Sequence, residues 1–292
     1  MIELTNETFM VQIDPLGAQL HRIFQCKDHI DYLWNGDAAY WKFRSPILFP
    51  IVGSIENDAY RYRDTSYSLG RHGFARFEYF DIVRQNDAEV ILILKSNERI
   101  KQSYPFDFEL QATYKLDKNI VAMRLDVKNT DSRTMYFSIG FHPGFYLHGI
   151  NPGSVLEDYV LEFEPENVAD LVKFKDGLRT GTIIKDGFSA SCVPLTSEMF
   201  ASSAIVLSRC QAKRIVLASS KHRHGVGVTA EGFPYLGIWT VAVDNPPFVC
   251  IEPWHGVPGR EKEANRDISE LDGIKVLDPN ETFTAVMKLD FF

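Results

Sequence analysis

Apolar and polar residues alternate along most of the chain, in short runs that place successive side chains on opposite faces of a β-strand. The alternation is clearest from Val121 to Val127, and it recurs from Met135 to Phe141. Residues 9–24 predict an opening hairpin or meander, residues 60–69 a hairpin and residues 283–289 a closing strand. No sustained helical period, linker or internal repeat interrupts these runs. The sequence therefore predicts an all-β fold, a large two-sheet β-sandwich in a single domain over residues 1–292.

Three segments depart from the alternation. Residues 151–203 are rich in turn formers, and we expect an irregular region there with one short helix around residues 196–201. Residues 264–273 predict a polar loop. The run from Trp41 to Gly53 carries two prolines that do not suit a central strand, and we interpret it as a structured loop that positions the cation of Arg44.

The run from Phe248 to Glu252 predicts a short strand. Pro253 follows at once, and because proline cannot donate to a strand ladder, we expect the strand to end at Glu252 or to be an edge there. His142 has the same setting, at the end of the second alternating run and immediately before Pro143. A charge at the mouth of an apolar sheet is costly unless it is hydrogen-bonded or used. Glu252 is therefore either a carboxylate that accepts backbone N–H groups or a general base, and His142 is either structural or part of the same site.

Composition narrows the classes of partner. The formal net charge is -8 and the pI is near 5.5, without a basic cluster, which argues against nucleic acid. No apolar run approaches the ~20 residues of a membrane span, and the first residues lack the pattern of a secretory signal, so we expect a cytoplasmic protein that does not bind membranes. The four cysteines are widely spaced, without the C-x-x-C pair of a zinc or redox site.

Three more residues are candidates for a site. His72 and Arg76 would share one face if the segment between them were extended. Arg76 could form a surface ion pair or bind an anion or a hydroxyl group. Trp239 lies in an apolar run, where a core role and a stacking role are both open.

A metal site has one candidate in the pattern. His222 and His224 would point to one face of a strand, as the ligands of a metal do. Lys221 and Arg223 lie beside them and no third ligand has a matching spacing, so a solvated turn is favoured and no metal is expected.

Several short motifs together resemble a known family. They occur in the order Leu48-Phe49-Pro50, Arg71-His72-Gly73-Phe74-Ala75-Arg76, Phe141-His142-Pro143 and Cys250-Ile251-Glu252-Pro253-Trp254. In this order, over essentially the full chain, they resemble the aldose 1-epimerases, and most closely the branch of LacX-like proteins and hexose-6-phosphate mutarotases. The resemblance implies a galactose mutarotase-like supersandwich that binds a sugar on a concave sheet face and uses no cofactor.

The resemblance also implies a role for each candidate residue. Glu252 corresponds to the general base, His142 to the general acid and His72 to a ligand of a sugar oxygen. Arg76 and Arg44 correspond to arginines that bind the substrate. The chain departs from the pattern at Ser54 and Ser203, where many relatives carry an Arg and an Asp. Because Ser54 removes one possible cation, a neutral sugar is favoured over a sugar phosphate.

The expected activity is the interconversion of the α and β anomers of a hexose or a hexose phosphate. A base removes the proton of the anomeric hydroxyl while an acid protonates the ring oxygen, which opens the ring. The alternatives are a carbohydrate-binding or sensing protein on the same fold and a metal-dependent sandwich enzyme built on His222 and His224. A small-molecule sugar is the only partner expected, and a homodimer is left open.

Overall fold

The computed structural model describes residues 1–201, 204–219 and 221–292. Strands occupy 52% of the chain and helices only 8%, which confirms the all-β prediction. Along the chain, the strands are β1 (Ile2–Thr5), β2 (Phe9–Asp14), β3 (Gln19–Gln25), β4 (Ile30–Asp31), β5 (Ile47–Leu48), β6 (Ala59–Tyr62), β7 (Thr65–Ser68), β8 (Asp81–Gln85), β9 (Glu89–Lys95), β10 (Phe108–Asp117), β11 (Ile120–Asn129), β12 (Met135–Phe137), β13 (Ile139–Phe141), β14 (Gly144–Tyr146), β15 (Tyr159–Lys175), β16 (Leu178–Pro194), β17 (Ile205–Ser208), β18 (Arg214–Ser219), β19 (Val226–Thr229), β20 (Tyr235–Trp239), β21 (Phe248–His255), β22 (Lys275–Leu277) and β23 (Thr282–Phe291). The α-helices are α1 (Glu98–Lys101) and α2 (Leu147–Ile150), and short 3-10 helices cover Glu56–Asp58, Ala75–Phe77, Leu156–Asp158, Ser197–Phe200 and Ile268–Glu270. Among the described residues, no helix is both long enough and apolar enough to cross a membrane.

One large sheet of 15 strands carries most of the fold. Its order is β5-β13-β21-β20-β17-β15-β18-β19-β23-β11-β10-β9-β8, with β14 also paired to β21 and β16 to β15. Strands β1 to β4 form a smaller antiparallel sheet, and β6–β7 and β12–β22 form two-stranded ribbons. The predicted hairpin at 60–69 and the closing strand at 283–289 are confirmed as β6–β7 and β23.

The core lies between the small sheet and the large one, because each buries one apolar face. In β2, Phe9, Val11 and Ile13 are buried, and they belong to the same apolar cluster as Leu110 of β10 and Met287 of β23. This period of two follows directly from the alternation in the sequence. On β21 and its neighbouring strands, the face that points away from this core can carry polar side chains.

The strand that contains Glu252 does not end at Pro253. Strand β21 continues to His255 and has neighbours on both sides, β20 on one and then β14 and β13 on the other. The expectation of a strand end or edge at Glu252 was therefore wrong. The N–H of Ile251 points to Pro143, in the gap between β13 and β14, so the nitrogen of Pro253 faces the same gap, where no ladder bond is needed.

Residues 151–203 are far more regular than the sequence indicated. Most of them form β15 and β16, two strands of 17 residues each, so the expectation of an irregular region was wrong. The short helix predicted around 196–201 is present as the 3-10 helix Ser197–Phe200. A two-residue turn joins the strands, with Asp176 at φ 52° and Gly177 at φ 80°. This is the left-handed geometry that Asp-Gly favours in tight hairpins.

Candidate active site

A cavity of about 530 Å³ opens on the face of the large sheet formed by β13, β21, β20 and β17. Its walls include five of the six residues predicted for the site, which are His72, Arg76, His142, Trp239 and Glu252. A cavity of this size suits a monosaccharide-sized ligand. A second depression, of about 610 Å³, lies around Tyr62 and Arg133 and contains none of the predicted residues.

The sheet register places His142 opposite Glu252. On one side of the gap Gly140 of β13 pairs with Trp254, and on the other side Gly144 of β14 pairs with Cys250. His142 is two residues from each of these glycines, and Glu252 is two residues from each of their partners. The two side chains therefore meet, with His142 Nε2 3.1 Å from Glu252 Oε2. His142 and Pro143 lie between β13 and β14, and this interruption lets the His142 side chain contact Glu252 of β21.

Both groups are buried, His142 at 6% exposure and Glu252 at 2%. Burial raises the pKa of Glu252 well above its usual value, although the neighbouring Trp254 indole and then the charge of Arg71 act in the opposite direction. Burial also lowers the pKa of His142 to about 3, assisted by the charges of Arg76 and Arg71. Because an apolar site disfavours a net charge, the favoured form of the pair carries two protons in total. They can be distributed as neutral imidazole with carboxylic acid or as imidazolium with carboxylate.

The pair has hydrogen-bonding capacity to spare. Among the described residues, Glu252 Oε2 and His142 Nδ1 are buried without a hydrogen-bond partner. Glu252 Oε2 lies 3.1 Å from His142 Nε2 without forming a hydrogen bond to it. Unpaired buried polar atoms are rare in proteins and call for an explanation. Catalytic contacts are often misaligned in the free enzyme and tighten around substrate.

His72 is fixed by its backbone and by one ring nitrogen. Its N–H donates to the carbonyl of Gly53, and the Gly53 N–H donates to His72 Nδ1 at 3.0 Å. Since Nδ1 is the acceptor, the ring proton of neutral His72 lies on Nε2. Burial lowers the pKa of His72 well below its usual value, which keeps the ring neutral. His72 is thus a fixed N–H donor at the cavity.

The segment from His72 to Arg76 is not extended, which was the condition under which the two side chains would share one face. His72 has φ 64° and Gly73 has φ 67°, so the chain reverses there, and Arg76 lies in the 3-10 helix Ala75–Phe77. The reversal also brings Arg71 to the cavity wall, a residue that sequence reasoning missed. Its Nε donates to Ser54 Oγ at 3.1 Å.

Two guanidinium groups therefore lie at one side of the cavity. Arg76 donates to the carbonyl oxygen of Arg71 at 2.7 Å and lies over the rings of Phe43 and Phe77, at 4.6 and 4.8 Å from their centres. Burial lowers its pKa to about 10, with a contribution from Arg71. Neither arginine forms an ion pair with a carboxylate among the described residues, so both charges remain available to a ligand.

Arg44 takes a different place. Its side chain packs against Gly36, and its Nη1 lies 3.2 Å from His21 Nδ1. It is not part of the cavity wall. The predicted role of Arg44 in binding substrate stays a prediction, whereas Arg71 occupies the position from which a second cation reaches the cavity.

Tryptophans enclose the pair. The ring of Trp41 stacks on His142, with centroids 4.8 Å apart, and Trp239 meets the same imidazole edge-on at 5.8 Å. Trp254 forms part of the wall beside Glu252. A Cβ added at Gly140 or at Gly237 would lie 2.6 or 2.5 Å from the Trp254 ring, so both glycines are needed for the indole to lie where it does. The stacking role of Trp239, left open by the sequence, has a place in this geometry.

The turn of the β15–β16 hairpin closes the remaining side. Phe174, Asp176 and Gly177 line the cavity. The hairpin is fastened by Arg179, which donates to the carbonyl oxygen of Pro258 at 2.6 Å and to Asp272 Oδ2 at 2.7 Å. Sequence reasoning missed this wall, although the Asp-Gly pair at 176–177 was a signal for the hairpin.

The other candidates lie elsewhere. His222 and His224 are in a turn before β19, where His224 Nδ1 approaches the carbonyl oxygen of Phe292 at 3.3 Å. They do not belong to the one group of metal-ligand residues found among the described residues, which is His142, Cys250 and Glu252. Ser54 holds Arg71, and Ser203 lies outside the described residues.

The family is settled by comparison with known proteins. The model of the family described as aldose 1-epimerase matches residues 1–267. The chain belongs to this family. Among curated proteins, it is 34% identical to the chromosomal protein LacX of Lactococcus lactis subsp. lactis, over 99% of this chain and 95% of that protein. The plasmid-encoded LacX of the same organism is 33% identical over the same shares.

Solved structures of similar proteins have the same architecture. A galactose mutarotase-like protein from Lactobacillus casei superposes with a TM-score of 0.94 at 29% identity, covering all of both chains. A galactose mutarotase related enzyme from Lactobacillus acidophilus gives a TM-score of 0.92 at 28% identity, over 99% of this chain and 96% of that one. The predicted family and β-sandwich fold are both confirmed.

Proposed function

We propose that this aldose 1-epimerase family member is an active mutarotase, with Glu252 as general base and His142 as general acid. The observation that supports the proposal is the buried contact of 3.1 Å between the two groups at the floor of a sugar-sized cavity. A protein that only binds sugar has no need for an acid and a base that can exchange protons. The unpaired Glu252 Oε2 and His142 Nδ1 leave capacity for sugar hydroxyl groups.

Ring opening uses the form of the pair in which Glu252 is a carboxylate and His142 an imidazolium. Glu252 removes the proton from the anomeric O1, and the electron pair of that bond forms the C1=O1 carbonyl. The C1–O5 bond breaks, and O5 takes the proton from His142. After rotation about C1–C2, Glu252 returns its proton to O1 and His142 recovers the one on O5, which closes the ring as the other anomer. Each transfer contributes on the order of 10²–10⁴ in rate.

The rest of the cavity would orient the sugar. His72 offers a fixed Nε2–H, and Arg71 and Arg76 offer guanidinium donors on one side. Trp41, stacked on His142, restricts the tilt of the imidazole, and Trp239 and Trp254 provide apolar faces for the C–H side of a pyranose. Holding the sugar in the right geometry against the acid and the base is itself a large part of catalysis.

The substrate class is a hexose, either free or phosphorylated. Ser54 supplies a hydroxyl group where the family resemblance implied a cation, which favours the neutral sugar. Arg71 and Arg76 supply charge from another direction and could hold an anionic substituent. The two classes differ in how strongly a variant of Arg76 affects the phosphorylated sugar relative to the free one.

Polarimetry tests the proposal directly. Freshly dissolved α-glucose, α-galactose and their 6-phosphates are followed as they approach anomeric equilibrium, with and without protein. Catalysed mutarotation of at least one of them is expected. If calorimetry showed that a hexose binds while none of the four is mutarotated faster than in buffer, the carbohydrate-binding alternative would replace this proposal.

A further inference from the structure

A buried thiol lies next to the acid–base pair. Cys250 precedes Glu252 by two residues in β21, so both side chains are on the same face of the strand. The Cys250 sulfur, a ring nitrogen of His142 and a carboxylate oxygen of Glu252 all lie within 4.8 Å of one another. Gly144 pairs with Cys250 across the ladder, and a Cβ there would lie 3.0 Å from the Trp41 ring and 3.3 Å from the sulfur, so the glycine lets both side chains pack against it. The mutarotase mechanism makes no use of this thiol.

The same site has a donor atom without a partner. Glu252 Oε2 is fully enclosed and has no hydrogen bond from any described residue, although it lies 3.1 Å from His142 Nε2. Sulfur, imidazole nitrogen and carboxylate oxygen are the three donor types that zinc takes from proteins, commonly with water as the fourth ligand. The acid–base pair and Cys250 together therefore supply three of the four ligands of a tetrahedral metal site.

We propose that Cys250, His142 and Glu252 bind Zn²⁺ reversibly, and that the ion inhibits the enzyme by occupying the acid–base pair. In a tetrahedral zinc site the donor atoms lie roughly 3.3–3.7 Å apart. The contact of 3.1 Å between His142 and Glu252 is already close to this, and a movement of about 1 Å by the thiol would complete the set. This inference rests on the proposed function only for its inhibitory effect, since the ligands stand independently of it.

The ligands would balance the charge of a buried Zn²⁺ ion. Zn²⁺ with one thiolate and one carboxylate has no net charge, so no uncompensated charge is placed in the apolar surroundings. The thiol and the carboxylic acid each release one proton as the ion enters, and binding should therefore tighten as pH rises. Arg71 and Arg76 oppose a cation electrostatically from the cavity wall, which keeps the site exchangeable.

Cobalt provides a direct probe of the thiolate. Co²⁺ occupies zinc sites and gives a near-ultraviolet charge-transfer band only where it is bound to sulfur. We expect this band in wild type and in the triple variant Cys26→Ser, Cys192→Ser, Cys210→Ser, which retains Cys250 alone. It should disappear in Cys250→Ser, and Zn²⁺ should displace it in the first two proteins. The triple variant keeps the test decisive even if Cys250→Ser does not fold.

Mutarotation measured on the same proteins tests the inhibitory effect. Zn²⁺ should slow wild type and the triple variant at least tenfold, with full recovery on chelation, and slow Cys250→Ser much less relative to its own rate without zinc. A triple variant without the cobalt band would overturn the site, whether or not the protein is a mutarotase. A clear band without inhibition would overturn the inhibitory role. Absence of mutarotation in metal-free wild type would instead refute the proposed function.

Discussion

His142 faces Glu252 across the gap between β13 and β14, with Nε2 3.1 Å from Oε2. Each residue alone is an ionisable group followed by a proline. The register of β21 against two separate short strands makes them a pair. Since both are buried and in contact, the protonation of each residue changes the pKa of the other. The pH dependence of activity and of stability follows from this coupling.

The pH dependence of kcat/KM should show a wide plateau. The active form carries two protons on the pair. It is lost when a third proton binds, near the lowered pKa of His142 at about 3, or when one leaves, at the raised pKa of Glu252. An unshifted His142, with a pKa near 6.5, would instead cause a tenfold loss for each pH unit above it. Polarimetry from pH 5 to 9 distinguishes these outcomes, and a steep decline from pH 6.5 to 8 would contradict the buried pair.

Stability should decrease in mild acid. The pKa of His142 is lowered to about 3 in the fold and that of Glu252 is raised, so the native pair keeps two protons where the unfolded chain, below the ordinary pKa of its glutamate, binds a third. The extra proton favours unfolding, and the loss begins below about pH 4.5. Urea titrations at about pH 5 and about pH 3.5 measure the loss, and His142→Asn should reduce it. An equal loss in both proteins would show that His142 is not the source.

Arg71 and Arg44 should differ in their effect on substrate binding. Arg71→Ala removes a donor at the cavity and should raise KM by about 10–100-fold, the range expected for a hydrogen bond to a charged group. Arg44→Ala removes a guanidinium that packs against Gly36, away from the cavity, and should change KM less than threefold. The reverse order would favour the role that the sequence assigned to Arg44.

Arg76 should separate a free hexose from a hexose phosphate. If the substrate is neutral, Arg76→Ala should raise KM for glucose and for glucose 6-phosphate by similar factors. If the two arginines bind a phosphate group, the loss should be at least tenfold greater for the phosphate ester. Arg99→Ala, which removes the exposed partner of Glu78, is the matched control and should leave both values unchanged.

The elements that the sequence predicted well are those with one face in the core and one in a polar environment. Strands β11 and β23 are of this kind, and their alternation is visible without a structure. The long hairpin was missed because β16 is exposed along most of its length, and β15 has three register shifts against it. Each shift breaks the period of two on which the prediction depends.

The candidate site was predictable where strand-end chemistry and a family motif coincide, as at His142 and Glu252. Arg71 was not, because its position depends on left-handed backbone at His72 and Gly73, which a pattern of side chains does not reveal. Trp41 was seen only as part of a loop. Its contact with His142 depends on how that loop returns to the sheet, which is a tertiary property.

The most direct test of the mechanism is mutarotation by Glu252→Gln, beside His142→Asn and the double variant. Glutamine keeps the size of the side chain but cannot take the anomeric proton. Each single change should lower kcat by at least ~10²-fold with sugar binding roughly intact. The double variant should be little less active than the less active single variant, because the two residues act as a unit. Thermal melts on the same samples confirm folding. A well-folded Glu252→Gln protein that accelerates mutarotation as wild type does would contradict the assignment of Glu252 as base.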